Sequence, residues 1–213
     1  MIYNLGSNNS IANHFLYELR DVSMQNDRMR FRTNMERLGS IMAYEISRKS
    51  KYQPRTCRTP LGTVSIPLAE NPVLISVLRA GLPFFQGFVK FYDHSPCGFI
   101  GAYRKEGEDE IAIKLDYLAT PSLQDIELIL IDPMLATGKS FVECIETLAR
   151  NGTPRHIHVA ALVAAPEGID YIQSRVKIPL TIWTFAIDEK LDHRYYIVPG
   201  LGDAGDLSFG EKL

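Results

Sequence analysis

The stretch Ile126-Glu-Leu-Ile-Leu-Ile-Asp-Pro-Met-Leu-Ala-Thr-Gly-Lys-Ser140 decides the fold. Its first six residues, IELILI, read as a buried strand of a parallel sheet. The run ends at Asp132. A helix is predicted over Ser140–Arg150, stopped by Asn151-Gly152. Working outward, the same strand–loop–helix grammar repeats. Pro72–Leu78 is a second buried strand, followed by Arg79-Ala80-Gly81 and a helix near Leu82–Phe91. Gly98–Tyr103 reads as a strand, Lys105–Asp109 as a charged turn and Glu110–Tyr117 as an exposed hairpin arm. His158–Ala164 is predicted as a strand, Glu167–Ser174 as a helix and Thr181–Phe185 as a strand. Two helices precede all of this. One is capped by Asn9-Ser10 and carries Ile11, Phe15, Leu16, Leu19 and Val22 on its apolar face. The other spans Phe31–Ser50, with Phe31, Met35, Leu38, Met42 and Ile46 inward, and the pair reads either as a packing or dimerisation arm or as ordinary core helices. The order argues for an α/β fold with a mostly parallel central sheet flanked by helices. Ligands of such sheets bind beyond the carboxyl ends of the strands, so the loops after Leu78, Ile131 and Phe185 are where chemistry is sought.

Composition narrows the function. The chain has 213 residues, fitting a single domain, with 46% hydrophobic and 23% charged residues. Lys plus Arg number 23 against 25 Asp plus Glu. That balance argues against a general nucleic-acid binder, which needs a basic surface, so any anion site is local. No apolar run approaches membrane-spanning length and the start lacks the features of a signal peptide; a cytoplasmic location is expected. Cys57, Cys97 and Cys144 are too scattered and too odd in number for a disulfide framework and are expected as buried free thiols. His156 and His158 share one face of a strand. Without a third ligand at a recognisable spacing they are expected to be structural rather than metal-binding.

Three constellations carry chemistry. In the first, the amides of Ala136–Ser140 at a helix start form an anion cradle suited to phosphate. Thr137 and Ser140 add hydroxyls, Gly138 allows close approach, and Asp132 can accept hydrogen bonds from sugar hydroxyls. A ribose 5-phosphate fits both. Gly138-Lys139-Ser140 also matches the end of a Walker A pattern, but the first glycine of that pattern would fall on Pro133. A capped helix with no ligand is the bland alternative. In the second, Arg79 and Arg104 each follow a strand and together suggest a pyrophosphate clamp. In the third, Tyr196–Asp206 holds three glycines and a proline, so it is expected as a tight loop offering backbone groups to a flat heterocycle such as uracil. Asp203 would stand near the anomeric centre or a Mg²⁺. A structural C-terminal turn is the alternative reading.

The ordered set LRAGL (Leu78–Leu82), YR (Tyr103–Arg104), DPMLATG (Asp132–Gly138) and YIVPGLGDAGD (Tyr196–Asp206) closely resembles the uracil phosphoribosyltransferases. HIHVAALVAAPEGI (His156–Ile169) and DEKLD (Asp188–Asp192) extend the resemblance over nearly the whole chain. It implies the type I phosphoribosyltransferase fold: residues 1–213 as one domain, with a helical arm over 1–50, a β-hairpin flap, and a base-binding hood over 186–213. It implies conversion of uracil and 5-phosphoribosyl 1-diphosphate to UMP and diphosphate in pyrimidine salvage. The cofactor implied is Mg²⁺ carried by the diphosphate, with no metal ligand in the protein. By matching motif, Arg79, Arg104 and Asp203, with Asp132, Pro133, Met134, Leu135, Ala136, Thr137, Gly138, Lys139 and Ser140, bind phosphoribosyl diphosphate. Ile197, Gly202, Asp203 and Ala204 bind uracil. Arg79, Arg104, Asp132 and Asp203 are the catalytic set. The resemblance also implies a homodimer or higher homo-oligomer, and GTP as a candidate effector. A non-catalytic sensor of UMP or phosphoribosyl diphosphate on the same fold is the competing function. Two positions depart from the family: Lys139 stands where a small residue is usual, and Leu207 replaces a basic residue after DAGD. Leu207 is expected to be peripheral to the site. Ile131 also replaces the first of the two adjacent acids common in other type I enzymes, which shifts ribose and metal binding toward Asp132.

Overall fold

A computed structural model describes residues 1–104 and 113–211. In chain order it begins with β1 (Ile2–Asn4), α1 (Ala12–Arg20) and α2 (Arg28–Ser47), then β2 (Tyr52–Thr59) and β3 (Gly62–Ala69). The central run is β4 (Val73–Leu78), α3 (Gly81–Val89), β5 (Cys97–Arg104), β6 (Ile113–Ala119), β7 (Glu127–Ile131), β8 (Met134–Leu135) and α4 (Lys139–Leu148). It continues with β9 (His156–Ala160), β10 (Val163–Ala164), α5 (Pro166–Arg175), β11 (Leu180–Thr184) and β12 (Ala186–Ile187). The last elements are β13 (Lys190–Leu191), β14 (Ile197–Val198) and α6 (Ala204–Phe209).

Seven strands form one sheet in the order β1-β11-β9-β7-β4-β5-β6. All neighbours are parallel except the β5–β6 pair. Strand β7 lies at its middle because both of its faces are apolar. Leu128 and Leu130 enter a core shared with α4 and α5, whereas Ile129 and Ile131 enter another built on α2 and α3. All four are fully buried. The mostly parallel α/β sheet expected from sequence is the fold observed.

The boundaries differ in places, each for a local reason. The predicted strand His158–Ala164 is broken in two. The amides of Leu162 and Val163 both turn to the carbonyl of Pro133, which moves β10 into a small second sheet, β12-β10-β8. In α1, Leu19 is buried, but Ile11 and Val22, expected on the same face, lie beyond the ends of the helix and are 58% and 77% exposed. All five apolar positions expected on α2 are buried, and the described contacts make the arm a core element. Strand β1 and the β2–β3 hairpin were not anticipated. Residues Tyr52–Thr59 are exposed throughout, as are all of β3 but Ala69. The charged turn at Lys105–Asp109 and the start of the expected hairpin arm lie outside the described residues. The cysteines are free, but only Cys144 is buried; Cys57 and Cys97 are exposed. The expectation of three buried thiols fails because Cys57 sits on the open hairpin and Cys97 at the start of β5.

Candidate active site

Strand β4 lies between β7 and β5 and runs parallel to both, so the turns after β4 and β7 and the last residue of β5 lie at one end of the sheet. Gly81 fixes how closely two of these loops approach. A Cβ there would lie 2.8 Å from the Ile131 carbonyl oxygen, so the turn carrying Arg79 rests against the end of β7, beside Asp132. The peptide bonds Leu78–Arg79 and Val198–Pro199 are cis. The backbone of Arg104 ends β5, adjacent to β4.

The loop after β7 is held at both ends. Its first half is strand β8, pinned by the Ala165 amide donating to the Leu135 carbonyl at 2.9 Å. The Asp132 carboxylate accepts from the Met134 amide at 3.3 Å. Its second half turns through Gly138 at φ +76°, a left-handed conformation that favours glycine. A Cβ on Gly138 would stand 2.6 Å from the Gly168 carbonyl oxygen, and one on Gly168 would stand 2.1 Å from that of Ala136. The start of α5 therefore closes onto the loop through two glycines. Gly138 is also the N-cap of α4 and has no side chain to cap it, so the first-turn amides beyond that of Lys139 are placed to donate to an anion. The Thr137 hydroxyl accepts from the Lys139 amide at 3.3 Å. Lys139 is the first residue of α4; burial and the neighbouring Glu146 raise the Glu143 carboxyl pKa, and the Lys139 charge offsets part of that rise.

The C-terminal segment, where the base-binding hood is expected, meets the Arg79 turn. Ile197 is buried in β14, which pairs antiparallel with β13. The expected loop Tyr196–Asp206 is only partly a loop, because Asp203 nucleates α6: its carboxylate accepts from the Asp206 amide at 2.9 Å. Gly202 has φ +91°. The side chain of Leu207 packs 3.6 Å from the place a Gly202 Cβ would take, which puts it against the loop in which uracil binding is expected. Arg79 bridges to this segment. Its Nη2 donates to Asp206 Oδ1 at 2.7 Å and to the Gly210 carbonyl at 2.6 Å.

Two supports were missed from sequence. The Asp188 side chain is 7% exposed and accepts from both Nη groups of Arg20, at 3.0 and 2.8 Å, and from the Gly200 amide at 2.8 Å. Arg32 on α2 donates to the Ser208 carbonyl at 2.7 Å. The helical arm thus braces the hood. Asp206 was also missed; its signal was its place three residues after Asp203, on the same turn of a short helix.

His156 and His158 lie at the opposite, amino end of the strands, beside a cavity of about 360 Å³ lined also by Tyr3, Lys49, Glu127 and Arg155. The Trp183 indole N–H donates to His158 Nδ1 at 3.1 Å, which leaves the proton of a neutral ring on Nε2, facing Glu127 at 3.8 Å. Burial lowers the His156 pKa, and the neighbouring His158 lowers it further. The Glu127 carboxyl is held low by its His158 contact first and by Arg155 as well. Among the described residues no three His, Cys, Asp or Glu side chains gather as a metal site.

Comparison with known proteins gives one consistent result. The family model described as Uracil phosphoribosyltransferase matches residues 6–211. A uracil phosphoribosyltransferase of Porphyromonas gingivalis is 46% identical over 214 aligned residues, covering 100% of this chain and 99% of the relative. One from Methanothermobacter thermautotrophicus is 38% identical, covering 84% and 83%. Among solved structures, the AQ2163 protein of Aquifex aeolicus superposes with a TM-score of 0.89 at 27% identity, covering 99% of this chain and 98% of that one.

Proposed function

The chain belongs to the uracil phosphoribosyltransferase family, and from that premise we propose how its residues transfer a phosphoribosyl group from 5-phosphoribosyl 1-diphosphate to uracil, giving UMP and diphosphate. The observation that carries the proposal is convergence: the Arg79 turn, the Asp132–Ser140 loop and the Asp203 helix start all meet beyond the carboxyl ends of β4 and β7. The uncapped start of α4 takes the 5-phosphate through its amides and the Thr137 and Ser140 hydroxyls. Asp132 takes the ribose hydroxyls. Arg79 and Arg104 hold the diphosphate, so that negative charge growing on the leaving group as the C1–O bond breaks meets fixed positive charge. Ile197, Gly202 and Ala204 present main-chain groups to uracil and hold N1 in line with C1. Asp203 has one carboxylate oxygen committed to its cap, leaving the other to face the cationic sugar.

The donor set suits Mg²⁺ arriving on the substrate. Such ions keep waters and take one or two carboxylates plus phosphate oxygens, and Asp132 and Asp203 are carboxylates of that kind. Bound Mg²⁺ would neutralise charge on the diphosphate. A second copy of the chain is the proposed partner, supported by the open β2–β3 hairpin. GTP is carried as a candidate effector on family membership. We place the reaction in the cytoplasm, in keeping with three free thiols; no helix among the described residues is long and apolar enough to cross a membrane.

The test is product formation from phosphoribosyl diphosphate and Mg²⁺ with uracil, cytosine and hypoxanthine in parallel, with and without GTP. UMP from uracil alone is expected. Cytosine lacks the N3 proton and carries an amine in place of O4, so a site fitted to uracil rejects it. Binding of phosphoribosyl diphosphate without turnover on any base would instead favour a sensor.

A further inference from the structure

We propose that Asp206 is a positioning residue for the diphosphate site, aligning Arg79 and tying it to the uracil loop. This rests on the reading of Arg79 as the diphosphate arginine. Two acceptors meet both protons of Arg79 Nη2, the Asp206 carboxylate at 2.7 Å and the Gly210 carbonyl at 2.6 Å. Arg79 Nε is buried with no partner among the described residues and faces the Gly205 backbone, 3.7 Å from where a Cβ would stand there. One edge of the guanidinium is therefore clamped into the hood, and Nη1 is the end left to donate to a ligand. A guanidinium fixed this way loses little freedom when an oxyanion arrives.

The clamp also has a second end. The Asp206 amide donates to the Asp203 carboxylate at 2.9 Å, and Asp203 opens the helix whose start is assigned to uracil. The path Arg79–Asp206–Asp203 thus joins the two substrate positions through two contacts. Stability does not account for the ion pair. Its side chains are 33% and 37% exposed, and pairs that wet contribute little to folding.

The experiment compares the unmodified chain with Asp206→Ala and Asp206→Asn, reading KM for each substrate, the Kd of inorganic diphosphate with Mg²⁺ by calorimetry, and Tm. Loss of one charge-assisted contact that holds a binding arginine predicts about a tenfold rise in KM for phosphoribosyl diphosphate and in the diphosphate Kd. KM for uracil should move by less than about threefold and Tm hardly at all, with Asp206→Asn intermediate because it keeps an acceptor oxygen. In an Arg79→Ala background, Asp206→Ala should add nothing further to the diphosphate Kd. Additive effects there, an equal rise in both KM values, or unchanged diphosphate affinity would overturn the proposal. If the unmodified chain neither turns over nor binds diphosphate, the reading of Arg79 fails first, and this assignment with it.

Discussion

At the scale of single residues, Lys139 is one of the two positions where the sequence is expected to depart from the family pattern. It is the first residue of α4, where the helix dipole presents partial positive charge. A cation there is unfavourable in the empty protein, by about 0.3–1 kcal/mol. The same charge is favourable once a phosphate dianion sits on the α4 amides, and it screens Glu143 one turn along the helix. The two effects have opposite signs, which makes them separable. Lys139→Ala should raise the Tm of the ligand-free protein by about 1–3 °C, and raise KM for phosphoribosyl diphosphate by about three- to tenfold while leaving KM for uracil in place. Thermal unfolding without ligand and initial rates with each substrate varied would read both. A fall in KM would mean that the lysine crowds the cradle. Gly138, next to it, has no such latitude: at φ +76° and against the Gly168 carbonyl, a side chain would meet both backbone strain and a collision.

At the scale of elements, the hood is an assembly borrowed from the helical arm. Strands β13 and β14 are two residues each and α6 only six, too short to hold themselves. Arg20 holds them by its two contacts to Asp188, whose carboxylate also fixes the Gly200 amide. Arg20→Ala would leave a nearly buried carboxylate with a single backbone donor. The expected cost is about 2–4 kcal/mol, below the full figure for a buried pair because Arg20 is itself partly wet. KM for uracil should rise with it, more than KM for phosphoribosyl diphosphate, since the arm braces the base loop and not the Asp132 loop. Denaturant unfolding with substrate-varied kinetics would check this; a stability loss with unchanged uracil KM would make the bracket purely structural. These contacts also mark where sequence reading stopped. Strands β4 and β7 and the helices α3 and α4 were legible because Ile129 and Leu130 face opposite apolar cores, and a short unbroken apolar run is what a strand covered on both faces requires. The Asp132–Ser140 loop was legible because amides at a helix start need no particular side chain. Arg20–Asp188 and Arg79–Asp206 were not, since each joins residues more than a hundred apart and neither carries a local pattern. The hairpin was missed for a different reason: β2 reads YQPRTCRT, with a proline and mostly polar residues, so no buried face announces itself.

At the scale of the whole molecule, that hairpin is the part the single chain does not account for. Two antiparallel strands standing in water are marginal at best, yet β2 and β3 pair along their full length from Tyr52–Ala69 to Thr59–Gly62. On one face Val64, Ile66 and Leu68 are 45%, 44% and 53% exposed, and Leu61 at the turn is 100% exposed. Alternating apolar residues of this kind normally lie against another surface. A second copy of the chain is the partner proposed above, and a two-fold axis would let each hairpin lie on the other body. Replacing residues 53–68 with a short Gly-Ser turn should then reduce the sedimenting species to a monomer. Unfolding of the unmodified protein should shift to higher temperature as its concentration rises, and that dependence should vanish in the shortened chain. The hairpin contributes no residue to the two cores of the described fold, so the monomer should keep its far-UV circular dichroism. If the shortened and full chains sediment with the same number of copies, the association runs through another face and the hairpin's exposed stripe requires a different partner.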